Sequence, residues 1–345
     1  MADFTPGRGF EEQADPGRTR FRVTPTTLPG SPSSPFNGSA RLARIANHAP
    51  EVFVQLTGRN ASRGGLVKYL NYVSRGGQLA LEDRDGNALL GRSRLDELAD
   101  DWTAQAKLSR SRTSASTNLS LVLAMPPPTN AAIVQDAARA FARATFQDRF
   151  DYAFVLHTDA DHPHVHMAVR ADGRGGQRLN PRLSDLSAWR QTFAETLRER
   201  GVEAEATPRR LRGLTRKGEH RVLRRIRLRF EAGLSEPARN LRAAYDKAAR
   251  AAFLGETELT GEEVRTVAFQ RQLRQTYRDQ AKLLRASKDL ADQKLGRAVE
   301  AFVRAMPAPD SQRLAFARAL RAANERTLSR DEKEPSHEVD KGRDR

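Results

Sequence analysis

His157-Thr158-Asp159-Ala160-Asp161-His162-Pro163-His164-Val165-His166 is the stretch from which the rest of the chain is read. The protein has seven histidines, and His157, His162, His164 and His166 all fall within it. Apolar, β-rich runs flank it, Tyr152-Ala153-Phe154-Val155-Leu156 before and Met167-Ala168-Val169 after. Two such runs joined by a Pro-bearing turn predict an antiparallel hairpin. On a strand, residues two apart share a face, so His164 and His166 project together while Val165 turns away. His157 ends the neighbouring strand, about 4.8 Å across the ladder. Three imidazoles then converge with no fourth protein ligand. Such open sites are the catalytic kind, because substrate or water fills the remaining positions. Asp159 and Asp161 suit a supporting role, since a ligating His usually gives its second ring N–H to a carboxylate or carbonyl. His162, just before Pro163, is expected to face away. The scattered His48, His220 and His337 read as ordinary core or surface residues.

Charge points the same way. The 345 residues carry 59 Lys and Arg against 43 Asp and Glu, a formal net charge of +16. Such a balance implies a polyanionic partner, nucleic acid ahead of a membrane surface. The absence of cysteine excludes a disulfide framework and thiol chemistry and is compatible with a reducing cytosol. No apolar run approaches the roughly 18 residues of a membrane span. The first residues, MADFTPGRGFEEQ, lack the apolar region of a secretory signal.

Residues 1–48 are rich in Pro, Gly, Ser, Thr and Arg and read as a disordered leader. Val52 to Leu56 predicts the first strand. Leu66, Val67, Leu70 and Val73 then recur at helical spacing, and Gly76-Gly77 ends that helix. Tyr69 and Tyr72, three apart, lie on overlapping faces of it. Gln78 to Glu82 reads as a short strand before an Asp85-Gly86-Asn87 turn. Ser93 is placed to cap a helix running through Trp102 to about Leu108. Asn118 to Met125 reads as a central strand stopped by three prolines, and Thr129 or Asn130 caps a helix to Phe146. After the histidine hairpin, Gln177 to Asn180 reads as a short strand. Ser184 or Ser187 starts a helix with Leu186, Trp189, Phe193 and Leu197 on one face. From Glu219 to Leu328 the composition shifts to Ala, Leu, Arg, Gln and Glu with helical periodicity, punctuated by Gly233, Gly255, Gly261 and Pro307. The expected division is a leader (1–48), an α+β domain with a central antiparallel sheet (49–215), an Arg-rich all-α region (216–328) and a charged, disordered tail (329–345).

His-x-Asp-x-Asp-His-Pro-His-x-His on a strand hairpin resembles the third motif of conjugative relaxases of the MOBP class, which are HUH endonucleases. Tyr72-Val73-Ser74-Arg75 resembles their first motif. The resemblance runs from about Val52 to about Gly213. It implies a ferredoxin-like palm of about five strands with packed helices. It also implies Tyr72 as nucleophile, with Tyr69 the alternative; on spacing alone a helical Tyr is more often core. His157, His164 and His166 would hold a divalent cation, Mg²⁺ or Mn²⁺. Asp159 is a candidate proton acceptor for Tyr72. Lys68 and Arg75 are candidate phosphate contacts, and Thr117 and Ser120 candidate DNA contacts from a weak second motif. The implied activity is strand-specific nicking at an origin of transfer through a 5′-phosphotyrosyl link. Implied partners are single-stranded or supercoiled DNA at that origin, relaxosome accessory proteins and a type IV coupling protein and secretion system. The implied location is the bacterial cytoplasm, with translocation alongside DNA. Competing readings are a rolling-circle replication initiator, a non-catalytic metal-containing DNA-binding protein, and a metal-dependent hydrolase that uses water.

Overall fold

The computed structural model describes residues 38–108, 116–160, 162–213, 229 and 239–331. Expectations for residues 1–37, Asp161, Gly233 and 332–345 lie outside them. The strands are β1 (Phe53–Asn60), β2 (Leu81–Asp83), β3 (Ala88–Leu89), β4 (Asn118–Ala124), β5 (Tyr152–His157) and β6 (His164–Arg170). They form one sheet in the order β1-β4-β6-β5-β2-β3, and each pairing is antiparallel. The expected α+β fold is present. The sheet has one more strand than expected because the Asp85-Gly86-Asn87 turn closes a small β2–β3 hairpin, with Asp83 accepting from the Asp85 and Asn87 amides. Gln177 to Asn180 is not a strand; only the isolated bridge Asp172–Arg178 forms there.

The sheet is covered on both faces. On one lie α4 (Ala131–Phe146) and α5 (Leu183–Arg198). Their Val134, Phe141, Phe146, Trp189, Phe193 and Leu197 pack on Leu119, Leu121, Leu123, Val165, Met167 and Val169. On the other lie α2 (Arg63–Val73) and α3 (Arg92–Leu108). There Leu66, Leu70, Val73, Leu95, Ala99 and Trp102 cover Ala153, Val155 and Ala168. Each fully buried aliphatic of this kind contributes about 1.5–3 kcal/mol. The two faces follow from the period of two: Val165, Met167 and Val169 of β6 join the first cluster and Ala168 the second. His164 and His166 therefore share the α2 face.

Caps set the helix ends. Ser62 accepts from the Gly65 amide at the start of α2, and Asn130 from the Ala132 amide before α4. Ser93 does not cap α3; the helix already includes Arg92, and the Ser93 hydroxyl lies 3.3 Å from Glu97. α5 starts one residue ahead of Ser184, with the Asp185 carboxylate accepting from the Arg182 amide. Residues 38–46, expected within the disordered leader, are instead helix α1 (Gly38–Ala46). Its Leu42 and Ile45 are buried, and its Arg41 and Arg44 close on buried Glu205 at 3.0 Å each.

The described residues divide into two compact units: 38–208 with 284–302, and those of 209–283 with 303–331. The helices that follow are α6 (Arg239–Phe253), α7 (Gly261–Arg285), α8 (Leu290–Ala305) and α9 (Gln312–Asp331). In the second unit, Tyr245 of α6 stacks on Phe316 of α9, and Ala251, Ala252 and Ala317 pack together. No helix among the described residues is long and apolar enough to cross a membrane.

Candidate active site

The histidine stretch forms the β5–β6 hairpin as its alternation predicts. His157 opposes His164 directly, and Val155 opposes His166. The ring centroids of His157, His164 and His166 lie 4.6 to 5.3 Å apart. One ligand atom from each falls within 4.8 Å of the others. His157 and His166 are buried and His164 half-buried. Burial, with the neighbouring His157 and His164, pushes the His166 imidazole down to about 3. His164 is lowered as well, with burial the largest cause. Both are therefore neutral at physiological pH, as ligation requires.

Two ring orientations follow from hydrogen bonds. A carbonyl only accepts, so Nε2 of His157, 2.6 Å from the Val73 carbonyl, carries its proton there. That leaves Nδ1 of His157 for a cation. Nδ1–H of His164 likewise donates to the His162 carbonyl at 3.3 Å, which leaves Nε2. The donor set fits a divalent cation: three convergent imidazoles, two of them with a ring nitrogen left free by the hydrogen bond of the other. His162 is exposed and outside the triad, as expected.

Tyr72 stands beside this triad. Its ring meets His166 edge-on, centroids 6.0 Å apart at 84°, and it is 45% exposed. Tyr69 points inward, where its hydroxyl donates to the Met167 carbonyl at 3.4 Å. Burial, more than any other cause, raises its pKa strongly. The Tyr72 hydroxyl is raised more modestly, by partial burial and then by the charge of Asp159. Of the two tyrosines, only Tyr72 is open to solvent and next to the histidines.

Backbone geometry holds Tyr72 there. α2 stops at Val73, and the chain reverses through Arg75 (φ 54), Gly76 (φ 71) and Gly77 (φ 89). The fully buried Ser74 accepts from the Gly77 amide at 2.9 Å. A Cβ on Gly77 would lie 2.8 Å from the Arg92 nitrogen and 2.9 Å from Gly91, so glycine is required both for its φ and for this contact.

Asp159, expected as a proton acceptor for Tyr72, is engaged in an ion pair. Its carboxylate pairs with Arg75 at 2.9 Å, and no hydrogen bond joins it to the phenol. Burial, the largest single cause, raises its pKa, but its own backbone amide, Arg75 and the histidines together more than offset this. A carboxylate held below its ordinary range is a poor acceptor for a phenolic proton. It lies 4.0 Å from Nδ1 of His157. The Val73 carbonyl, a backbone group that no side-chain pattern announces, makes the direct bond to that ring.

Lys68 and Arg75 are exposed, on α2 and on the turn after it. Thr117 and Ser120 are not available to DNA. They are 5% and 2% exposed; Ser120 lies on β4, an inner strand covered on both faces, and Thr117 immediately precedes it. The weak second-motif expectation is corrected accordingly.

The fold brings together a three-histidine cluster with a tyrosine at its edge. Residues 72–202 match the family model described as "Relaxase: MobA/VirD2-like, nuclease domain". The T-DNA border endonuclease VirD2 of Rhizobium radiobacter is 27% identical over 190 residues, 48% of this chain and 45% of its own length. Its counterpart in Agrobacterium fabrum is 27% identical over 168 residues, 44% and 37% respectively. The chain thus spans less than half the length of these curated relatives. A solved structure from "Molecular Basis of Vancomycin Resistance Transfer in Staphylococcus aureus" is 11% identical, with a TM-score of 0.31 over 46% of this chain and 99% of that one. The resemblance to relaxases of the VirD2 type, expected from motifs I and III, is borne out.

Proposed function

We propose that the protein nicks one strand of DNA at an origin of transfer, with Tyr72 as nucleophile and His157, His164 and His166 as the metal ligands. The observation that carries this is the juxtaposition of a solvent-open Tyr72 ring with the convergent triad, 6.0 Å from His166. The likeness to VirD2-type relaxases supports it. A divalent cation bound there would polarise the non-bridging oxygens of the scissile phosphate and stabilise charge on them. Mn²⁺ suits three nitrogen donors better than Mg²⁺, which prefers oxygen.

The chain's own residues do the rest. Tyr72 Oη attacks phosphorus as the P–O3′ bond breaks. The phenolic proton leaves to water, and the departing 3′ oxygen takes one up from water. The products are a 5′-phosphotyrosyl link and a free 3′-OH. The phosphate remains a diester, now of Tyr72 and the 5′ oxygen, so a 3′-OH can reverse the step and reseal the strand. The Val73 carbonyl holds His157 in one tautomer, and Asp159 and Arg75 hold each other beside it. Arg75 and Lys68 are exposed, in reach of a backbone phosphate approaching Tyr72. The strand must be unpaired at the nick, because a phosphate inside duplex DNA cannot reach a sheet face under a helix end.

In the cell this activity would serve conjugative transfer or mobilisation from the bacterial cytoplasm, with relaxosome proteins and a type IV coupling protein as partners. The protein would accompany the strand it carries. The catalytic domain would be residues 49–215.

A denaturing gel tests the proposal. Labelled single-stranded oligonucleotides tiling the origin region are incubated with protein and Mn²⁺ or Mg²⁺. Wild type and Tyr69→Phe should give a metal-dependent covalent adduct, whereas Tyr72→Phe and His164→Ala should give none. Cleavage without an adduct would point to the water-using hydrolase and defeat the proposal. Binding without cleavage across the whole tiling would point to the non-catalytic reading.

A further inference from the structure

Helix α7 carries Arg271, Arg274 and Arg278, spaced three and four residues apart and therefore on one face. With Gln272, Gln275 and Pro309 they line a groove of about 440 Å³. Its far wall is firmly built. Buried Gln270 donates its side-chain amide to the Asp310 carbonyl at 3.0 Å and accepts from the Asp310 amide at 2.8 Å. That reciprocal pair fixes Pro309 against α7.

Several other arginines of this unit are committed elsewhere. Arg250 is bonded to Glu256, Arg313 to Glu263, Arg318 to Asp310, and Arg321 to two backbone carbonyls. Among the described residues Arg271, Arg274 and Arg278 have no acidic partner. The nearest carboxylate on the same helix, Asp279, accepts from Gln275 at 2.9 Å and lies 4.0 Å from Lys282. Arg274 is half-buried, and its pKa is lowered by that burial and by Arg278. Three like charges held together on one wall cost free energy unless a polyanion neutralises them.

We propose that this groove binds the phosphodiester backbone of single-stranded DNA, as a contact additional to the histidine site. The arginines extend along about 10 Å of helix axis, seven residues at 1.5 Å each. A guanidinium presents a planar fork matched to phosphate oxygens, and the Gln272 and Gln275 amides add donors for sugar or base edges. The arginine contacts go to phosphate and carry no base identity, so binding depends little on sequence. The choice of DNA strand as occupant rests on the proposed nicking function; the anion-binding chemistry does not.

The test measures binding of the full-length chain to a fluorescent oligo(dT) without added metal, as a function of salt. The variant is Arg271→Gln/Arg274→Gln/Arg278→Gln, which keeps helix-forming side chains and stem length. Each neutralised phosphate on a single strand contributes about 0.7 to the slope of log K against log salt, so losing three should flatten that slope by about 2. At 0.15 M salt the same loss weakens binding by roughly fifty-fold. Circular dichroism of the variant controls for folding. As a second measurement on the unaltered protein, oligo(dT) should protect Arg271 and Arg278 from phenylglyoxal. An unchanged salt slope together with unprotected arginines would overturn the proposal. So would arginine-dependent binding of poly-glutamate without binding of oligo(dT), which would make the occupant an acidic polypeptide. If the nicking assay fails while oligo(dT) binding keeps its dependence on these arginines, only the nicking function falls.

Discussion

Replacing Glu205 by Gln should loosen the docking of α1 without touching the histidine centre. Glu205 is 1% exposed. Its Oε1 accepts from the Ala206 and Thr207 amides, the Thr207 hydroxyl and Arg41, and its Oε2 from Arg44. Its own backbone bridges Glu51, so the carboxylate ties helix, strand approach and chain return together. Glutamine keeps one acceptor but loses the charge and turns an amide toward Arg44. Breaking a buried charge pair from one side costs about 3–5 kcal/mol. The two arginine side chains are 18% exposed, so water recovers part of this, and about 3 kcal/mol is expected. For a unit of this size that is a drop in Tm of about 6–12 °C. Its pH dependence has a definite sign. Burial raises the Glu205 pKa, but Arg41, Thr207 and Arg44 more than offset that, so it lies below its usual 4.5. A lowered folded pKa gives stability that is fully present above 4.5 and lost as pH falls through the folded value. Thermal unfolding of wild type and Glu205→Gln from pH 3 to 8 should therefore show a constant gap above pH 5 that narrows as the medium becomes more acidic than 4.5. A gap worth less than about 1 kcal/mol at pH 7, or one that persists undiminished at pH 3, would refute the reasoning.

Tyr69→Phe removes a long, partly buried bond to the Met167 carbonyl; it should cost about 1 kcal/mol or less in urea unfolding while nicking persists. Gly77→Ala puts a Cβ 2.8 Å from the Arg92 nitrogen at φ 89; it should destabilise by about 2 kcal/mol or more and reduce adduct yield, because the turn after Tyr72 must shift. Asp159→Asn should keep adduct formation, with a rate reduced about tenfold or less, since the Val73 carbonyl still orients His157; complete loss of the adduct would restore Asp159 as the proton acceptor.

The hairpin was legible because its signal is local. Period-two alternation around His164-Val165-His166 fixes which rings share a face, and strand pairing then brings His157 to them. The helix of Tyr72 was legible from Leu66, Leu70 and Val73, all buried as their spacing predicts. Tyr72 was preferred over Tyr69 on the motif Tyr72-Val73-Ser74-Arg75, and what the sequence could not show is which of the two rings is turned toward solvent. The Val73 carbonyl was invisible because main-chain groups leave no trace in side-chain patterns. Ser120, and Thr117 just before its strand, misled because a polar residue in or beside a strand does not say whether that strand is an edge or an inner one. α1 was missed because its arginines, which look solvated in sequence, are satisfied by Glu205 more than 160 residues away.

The most direct test locates the attached nucleotide. The adduct formed with a short oligonucleotide is digested with nuclease and trypsin, and the Tyr69–Arg75 peptide, which holds both tyrosines, is fragmented in a mass spectrometer. The account predicts a phosphonucleotide mass on Tyr72 alone, formed only with metal present. The same mass on Tyr69, or no modification of this peptide from protein that has cleaved its substrate, would contradict it.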